Sequence, residues 1–265
     1  MNIESTSLIF FSPTNTTRKI VEGIAQGLQP TSKQYFDLTP PGATGQMRQE
    51  FNQDVAIIGA PVYAGRLPSV MLSRFKQIQG NGKPAVLIVV YGNRAYEDAL
   101  IELRNVAIEA GFKPIAAGAF VGEHSYSTSN KPIAIDQPDT EDMVKAHAFG
   151  QAILKKIQTA SNIPNEPLYV PGNFPYKEVQ MRASIAPSVN EALCSRCGEC
   201  ALVCPTGAID RENPVSTSKE LCIRCCACVK TCPNGAKAFD DAGITQIAEW
   251  LYANCGDRKE PEIYL

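Results

Sequence analysis

The sequence predicts an α/β domain with a doubly wound, five-stranded parallel sheet, followed by a small α+β domain built around repeated cysteines. Short apolar runs alternate with helical patterns over the first 160 of 265 residues, whereas nine of the ten cysteines fall between positions 194 and 232. A chain of this length can form two domains of ordinary size. We predict domains at residues 1–160 and 185–240, a proline-rich linker at 161–184, and a helix and tail at 241–265.

Five apolar runs in the first domain have the length of strands. We assign strands to residues 7–11, 33–38, 55–60, 85–91 and 115–121. The intervening segments have helical patterns, with apolar residues such as Ile20, Ile24 and Leu28 four positions apart. We assign helices to residues 15–28, 46–51, 68–78, 96–110 and 141–159. Strands that alternate with helices form parallel sheets, which bind ligands beyond the carboxyl ends of their strands.

The loop after the first strand is rich in hydroxyl groups and leads directly into a helix. Its candidate ligand-binding residues are Ser12, Thr14, Asn15, Thr16 and Thr17. Hydroxyls and free backbone N–H groups at a helix start suit a phosphate, whereas an ordinary cap needs only one Ser or Thr. The sequence contains no glycine-rich P-loop with a lysine, and GNGKPA at 80–85 enters a strand, so we interpret it as a turn.

Two further strand ends combine glycine with tyrosine. The loop after the third strand contains Pro61, Val62, Tyr63, Ala64 and Gly65. The loop after the fourth strand contains Tyr91, Gly92, Asn93, Arg94 and Tyr96. Small residues let the backbone approach a flat polar ring edge, and a tyrosine can cover the face of that ring. Turn chemistry explains either loop alone, but the three strand ends together predict one ligand site.

Because of these three loops, residues 5–160 resemble the flavodoxins. The resemblance implies the strand order 2-1-3-4-5, FMN phosphate at the hydroxyl-rich loop, and the isoalloxazine between the other two loops. Flavodoxins commonly have glycine then asparagine where this chain has Asn15 then Thr16. Asparagine tolerates a left-handed backbone best among the non-glycine residues, so we expect the loop to keep its shape. Which tyrosine stacks on the flavin stays open.

His124 follows the fifth strand and is the candidate catalytic residue. A histidine at this edge of the sheet can donate a proton near a flavin. The alternative is a structural hydrogen bond within its loop. The other histidine, His147, lies in a predicted helix without nearby chemistry.

Eight cysteines form two matching runs that predict two 4Fe–4S clusters. The first run contains Cys194, Cys197, Cys200 and Cys204, and the second, 28 residues later, contains Cys222, Cys225, Cys228 and Cys232. In each run three cysteines are spaced by two residues, and the fourth precedes a proline. Three such cysteines converge on one cluster, while the fourth reaches the other cluster.

The repeat at residues 185–240 resembles the bacterial two-cluster ferredoxins, because Gly207 and Ala208 also recur as Gly235 and Ala236 at the same offset. Internal duplication of this kind indicates pseudo-two-fold symmetry. The resemblance implies one cluster on Cys194, Cys197, Cys200 and Cys232. It implies the other cluster on Cys222, Cys225, Cys228 and Cys204.

Zinc and disulfides are the alternative interpretations of the cysteines. A structural zinc needs two C-x2-C pairs and leaves the third step and the Cys-Pro pairs unexplained. Disulfides need an oxidising compartment, and the N-terminal MNIESTSLIFF lacks the features of a secretory signal. Cys226 and Cys255 lie outside the pattern. We interpret Cys226 as a buried or spare thiol, with cluster rearrangement as the alternative.

The charge and the apolar content of the chain indicate which binding partners and which cellular location to expect. The chain has 25 Lys and Arg against 27 Asp and Glu, a net charge of −2, so it lacks the basic excess that nucleic acid binding requires. No apolar run approaches the length of a membrane span. We expect a cytoplasmic protein, and oxygen-sensitive clusters suit an anaerobic or microaerobic cell.

The linker and the tail are expected to pack on the domains. Residues 161–176 contain four prolines with interspersed Leu168, Tyr169, Phe174 and Tyr176, which predicts an extended segment along a domain surface. Apolar residues at 244, 247, 248 and 251, together with Trp250, predict an amphipathic docking helix, with partner binding as the alternative.

These features predict an electron-transfer protein in which FMN and two 4Fe–4S clusters exchange single electrons and a redox partner protein is donor or acceptor. The alternative is an FMN-dependent oxidoreductase that reduces a quinone, nitro compound or flavin with electrons from the clusters. A third interpretation, a structural or sensory cluster module, leaves the three strand-end loops unexplained. The sequence has no pyridine nucleotide fingerprint, so we expect direct NAD(P)H oxidation to be slow or not to occur.

Overall fold

A parallel sheet forms the centre of the first domain. The computed structural model describes residues 3–43, 51–159, 167–179 and 185–265. Its first five strands are β1 (Ser5–Phe10), β2 (Ser32–Asp37), β3 (Val55–Pro61), β4 (Pro84–Tyr91) and β5 (Lys113–Val121). They are parallel and lie in the order β2-β1-β3-β4-β5. This is the flavodoxin-like order, so the predicted fold class is confirmed.

Four helices cover the two faces of this sheet. They are α1 (Thr16–Leu28), α2 (Ser69–Phe75), α3 (Ala99–Glu109) and α4 (Thr140–Thr159). Helix α3 begins three residues later than predicted, because Glu97 has a left-handed φ of 44°. The helix predicted at 46–51 lies outside the described residues except for its last position, because residues 44–50 are not described. None of the helices in the described ranges has the length and apolar character needed to cross a bilayer.

The apolar core has one layer on each face of the sheet. Ile20, Ile24 and Leu28 of α1 pack with Phe149 of α4 on one face. Residues of α2 and α3, such as Phe75, fill the other face. The helices α1 and α4 approach closely at a glycine, because a Cβ on Gly27 would lie 2.0 Å from the carbonyl oxygen of His147.

The second domain consists of short elements that connect the cysteine runs. These are β6 (Ser188–Val189), α5 (Glu199–Leu202), α6 (Ala227–Thr231) and β7 (Lys237–Ala238). Strands β6 and β7 are antiparallel, with Val189 opposite Lys237. The equivalent bridge in the other half joins Ile209 to Thr217. The two bridges are related by the sequence repeat, as pseudo-two-fold symmetry requires.

The described part of the linker, residues 167–179, lies against the first domain. Val170 is buried in the core beside α3, and Asn105 donates to the Tyr176 hydroxyl at 2.8 Å. Asp98 accepts hydrogen bonds from the backbone N–H groups of Asn173 and Lys177. Two of the aromatic residues expected to pack are largely exposed, Tyr169 at 77% and Phe174 at 75%, although the Phe174 ring contacts that of Tyr176 with their centroids 5.1 Å apart. Residues 160–166 and 180–184 of this region lie outside the described residues.

The C-terminal segment forms a helix and then returns to the sheet. Helix α7 (Ala242–Asn254) buries Ile244 and Leu251, as its periodicity predicts, but Trp250 is 54% exposed. The final strand, β8 (Glu262–Tyr264), pairs antiparallel with β5. The sequence analysis did not predict this strand, because three residues are too few to show a period.

Candidate functional site

The loop between β1 and α1 keeps the predicted shape without a glycine. Asn15 occupies the N-cap position with a left-handed φ of 66°, so the expectation for this residue is confirmed. The Ser12 hydroxyl accepts from the backbone N–H of Arg18 at 3.0 Å, and the Ser12 N–H donates to the Thr39 hydroxyl at 2.8 Å. The Asn15 side chain makes no capping hydrogen bond. The positive end of the α1 dipole therefore faces the loop, which suits an anion.

Two buried polar atoms at the predicted loops have no hydrogen-bond partner. Within the described residues, three buried side-chain polar atoms lack a partner: Thr17 Oγ1, Asn93 Oδ1 and Thr6 Oγ1. Buried polar atoms are normally paired, because an unpaired one costs free energy. Thr17 is the second residue of the helix after the first loop, and Asn93 lies in the loop after β4. Their unused hydrogen-bonding capacity fits a polar ligand at these strand ends.

The loop after β3 forms a tight turn beside the second domain. Tyr63 and Arg66 exchange backbone hydrogen bonds of 2.9 and 3.1 Å. Ala64 and Gly65 between them have φ values of 53° and 85°. A side chain at Gly65 has no room, because a Cβ there would lie 2.2 Å from a carboxylate oxygen of Glu97. This turn fixes the position of the partly buried Tyr63 side chain.

The loop after β4 is fastened to the C-terminal segment. The Asn93 side-chain amide donates to the carbonyl oxygens of Cys255 and Asp257, both at 2.8 Å. The Tyr96 hydroxyl bonds to Glu262 at 2.7 Å and to the Tyr264 hydroxyl at 2.9 Å. Burial and these bonds raise the pKa of Tyr96. The Tyr96 side chain, predicted at the flavin, therefore packs between the sheet and the tail.

The remaining predicted residues lie around the same edge of the sheet. Tyr91 is buried in the core, with its ring centroid 5.5 Å from that of Tyr96. Arg94 forms an ion pair with Glu97. Thr16 faces Gly122, where a Cβ would lie 3.1 Å from the Thr16 Cβ. The predicted residues Thr14, Pro61, Val62 and Gly92, which belong to the three strand-end loops, are also partly buried.

His124 has a structural hydrogen bond within its own loop. The backbone N–H of Tyr126 donates to Nδ1 of His124 at 3.0 Å. The ring packs on Gly92, where a Cβ would lie 2.3 Å from Cδ2. Burial lowers the pKa of His124 to about 4, and the charges of Arg94 and Lys230 contribute. The imidazole is thus neutral at neutral pH, and the predicted role as proton donor stays a prediction.

The eight cluster cysteines divide between two cavities. One cavity is lined by Cys204, Cys222, Cys225 and Cys228. A second cavity is lined by Cys194, Cys197, Cys200 and Cys232. We call them the near cavity and the far cavity, because Ile223 and Pro205 in the wall of the first contact the first domain. Each cavity takes three cysteines from one run and the fourth from the other, as the ferredoxin resemblance implies.

The environment of the thiols fits thiolate-bound clusters. The backbone N–H of Ala208 donates to Cys204 Sγ, and that of Ala236 donates to Cys232 Sγ, each at 3.2 Å. Burial raises the pKa of Cys225 and Cys228 to about 12, so bound iron is needed to hold them as thiolates. No three His, Cys, Asp or Glu side chains in the described ranges converge tightly enough to hold one metal ion.

The near cavity lies against the strand-end loops of the first domain. Burial raises the pKa of Tyr63, and the thiols of Cys225 and Cys226 add to the rise, which reflects their proximity. Ile223 packs against the core of the first domain. Arg74 donates to the carbonyl oxygen of Pro205 at 2.6 Å. Arg74 was not predicted from the sequence, because an arginine within a helical pattern gives no sign of a partner 131 residues away.

Cys226 is a buried thiol in the wall of the near cavity. It is 3% exposed and lines the near cavity beside the predicted ligands. Its φ of 61° is left-handed, and its counterpart in the repeat is Gly198, with a φ of 80°. A cysteine thus occupies a backbone conformation that favours glycine. Cys255, the other spare thiol, is buried against Ile133 and Leu251.

Comparisons with known proteins match the second domain to a family model and align the first domain with solved structures. The family model for the 4Fe-4S binding domain matches residues 187–210 and 215–237, which confirms the predicted ferredoxin-type domain and its 4Fe–4S clusters. No curated protein matches the sequence. Solved structures that align with the chain include three flavodoxins.

The first is a flavodoxin from the domain Archaea, with 12% identity over 58% of this chain and 99% of the other, at a TM-score of 0.41. A flavodoxin of Streptococcus pneumonia TIGR4 aligns at 16% identity over 57% of this chain and 99% of the other, with a TM-score of 0.42. The Fusobacterium nucleatum flavodoxin bound to flavin mononucleotide aligns at 18% identity over 58% of this chain and 96% of its own, with a TM-score of 0.39.

Proposed function

We propose that this protein transfers single electrons between FMN, bound at the loops after β1, β3 and β4, and the two 4Fe–4S clusters of its second domain. The observation that carries the proposal is the contact between the near cavity and the first domain, where Ile223 of the cavity wall packs on the core and Arg74 donates to the carbonyl oxygen of Pro205. FMN holds one or two electrons and each cluster transfers one, so the combination couples two-electron and one-electron chemistry. The chain's own residues position these groups.

The residues of the first loop fit the phosphate of FMN. The N-terminus of α1 offers backbone N–H groups, and Thr17 Oγ1 is a buried hydroxyl without a partner. Ser12, Thr14 and Thr16 add hydroxyls around the same loop. A phosphate bound there accepts hydrogen bonds from these groups and interacts favourably with the helix dipole.

Tyr63 is the tyrosine best suited to cover the flavin ring. Tyr91 and Tyr96 are part of the apolar core, and the Tyr96 hydroxyl already bonds to the tail. Tyr63 instead stands on the tight turn between the sheet edge and the near cavity. Its position favours electron transfer from a flavin at this edge to the near cluster.

The far cavity is the proposed contact for a redox partner protein. Cys197 in its wall is exposed, whereas Cys204, Cys225 and Cys228 in the near cavity are buried. An exposed ligand brings a cluster close to the protein surface. Electrons from a partner then enter or leave through the far cluster and pass through the near cluster to or from FMN.

Reduction of a small acceptor at FMN receives less support. That reaction needs a proton donor near the flavin, and His124 was the predicted one. Its Nδ1 already accepts from Tyr126, and its pKa of about 4 leaves it neutral. A neutral imidazole is a weak acid at pH 7.

The proposal is tested on protein purified without oxygen, by assaying iron, acid-labile sulfide and extracted flavin. We expect about eight irons and one FMN per chain. Stopped-flow reduction with dithionite, followed at separate flavin and cluster wavelengths, should show electrons equilibrating within one chain. Eight irons with no flavin, even after FMN is added, would overturn the FMN half. Saturable turnover of a quinone without any partner protein would favour the second candidate.

A further inference from the structure

The repeat in the second domain is broken at two neighbouring positions. The offset of 28 residues relates Val189 to Thr217 and Ile209 to Lys237. Val189 pairs with Lys237 in one bridge, and Ile209 pairs with Thr217 in the equivalent bridge. The first half of the repeat thus has an apolar residue at both positions, and the second half has a polar residue at both.

The two polar residues bond to each other between the cavities. Lys237 Nζ donates to the Thr217 hydroxyl at 3.2 Å. Lys237 lines the far cavity, whereas Thr217 lines the near cavity. Their hydrogen bond therefore joins the walls of the two cluster sites. Two unrelated changes would rarely produce a bonded pair at symmetry-related positions, so the pair indicates a shared role.

Lys237 is buried as deeply as the isoleucine that it replaces. It is 3% exposed, compared with 4% for Ile209. Within the described residues, no carboxylate lies within ion-pair distance of its ammonium group. One neutral hydroxyl does not compensate a buried positive charge. Thiolate-bound clusters are anionic, and they are the negative groups that can balance this charge.

The charge of Lys237 lies beside both sets of thiols. Lys237 lines the far cavity together with Cys200. Its hydrogen-bond partner Thr217, 3.2 Å away, lines the near cavity together with Cys222 and Cys228. The ammonium group is thus close enough to act on both sites.

We propose that Lys237, held by Thr217, is a fixed positive charge between the two clusters that raises the reduction potentials of both. Reduction adds one electron to an anionic cluster, and a nearby buried cation stabilises the added charge. The single lysine also removes the equivalence that the repeat would otherwise give the clusters. This inference rests on the cluster half of the proposed function and is independent of FMN.

The test is a potentiometric titration of the full-length, iron-replete protein, followed by electron paramagnetic resonance. The double variant Thr217→Val, Lys237→Ile gives the second half of the repeat the same two residues that the first half has at the equivalent positions, a valine and an isoleucine. We expect its cluster potentials to be lower than those of the wild type. Thr217→Val alone keeps the charge and should shift them much less. Lys219→Gln removes an exposed charge and should leave them unchanged.

The experiment distinguishes a failure of the Lys237 proposal from a failure of the proposed function. Unchanged potentials in a double variant with full iron content would overturn the role of Lys237. A wild-type protein that never holds about eight irons would instead overturn the proposed function. If the double variant loses iron, Lys237→Gln, which keeps a polar contact to Thr217, takes its place. Lowered potentials in that variant support the proposal, and unchanged potentials contradict it.

Discussion

The guanidinium of Arg74 donates a 2.6 Å hydrogen bond to the carbonyl oxygen of Pro205, the residue after the cluster ligand Cys204. The same guanidinium donates to the carbonyl oxygens of Leu38 and Thr39 at the end of β2. Arg74 is buried, so one side chain joins the sheet to the near cluster site. Electron transfer between two cofactors depends on their separation, and this contact fixes the separation of the domains.

Arg74→Met should slow electron transfer between the flavin and the clusters. The substitution removes the donors from three carbonyl oxygens, and each unsatisfied buried group costs about 1–3 kcal/mol. The domains then lose a fixed contact. The measurement is the rate of intramolecular reoxidation of the flavin after a laser flash. Arg104→Met is the matched control, because Arg104 donates to Leu168 in the linker and not to the second domain. An unchanged rate in Arg74→Met would show that other contacts set the separation.

Thr17→Val should weaken FMN binding. The Thr17 hydroxyl is buried without a partner at the start of α1, and a hydrogen bond to a charged phosphate contributes about 1.5–3 kcal/mol. We expect the dissociation constant of FMN to rise about tenfold or more. Fluorescence titration of the flavin-free protein measures it. Thr6→Val is the control, since Thr6 is also buried and unpaired but lies within β1. Equal losses in both variants would point to a general loss of stability.

The sequence predicted what depends on local patterns and on repeated spacing. The strands followed from apolar runs, and Asn15 could be expected in a left-handed conformation because asparagine tolerates it. Tyr96 was predicted at the flavin, since a tyrosine beside glycine suits a flavin or a core, and its partner Glu262 lies 166 residues away. The repeat also contains a signal from which no prediction was made. Lys237 occupies the position that Ile209 has in the first half of the repeat, and a charged residue at an otherwise apolar position of a repeat calls for a structural explanation.

Cys226→Ala should keep the full iron content. Each cavity already has four cysteines without Cys226, so Cys226 is surplus to both clusters. Cys226→Gly should keep the iron as well, because glycine suits the left-handed backbone at this position, as at Gly198. Iron and sulfide assays measure the outcome. Cys225→Ala is the control and should lose one cluster. Loss of iron from Cys226→Ala would support the alternative in which Cys226 takes part in cluster rearrangement.

His124 should make the folded protein less stable in acid. Its pKa is about 4 in the folded protein, below the ordinary value of 6.5. Between these values the unfolded chain binds the proton more readily, so stability falls as the pH falls from 6.5 towards 4. Above pH 6.5 His124 contributes no pH dependence. At pH 5 the shift costs about 2 kcal/mol.

His124→Asn should remove this part of the acid sensitivity. An asparagine side chain can still accept the Tyr126 N–H through its oxygen, but it does not titrate. We expect the drop in melting temperature between pH 7 and pH 5 to be smaller in this variant than in the wild type. His147→Gln is the matched control and should keep the drop, because His124 is still present. The same drop in all three proteins would mean that other groups, including the cluster thiolates, set the acid limit.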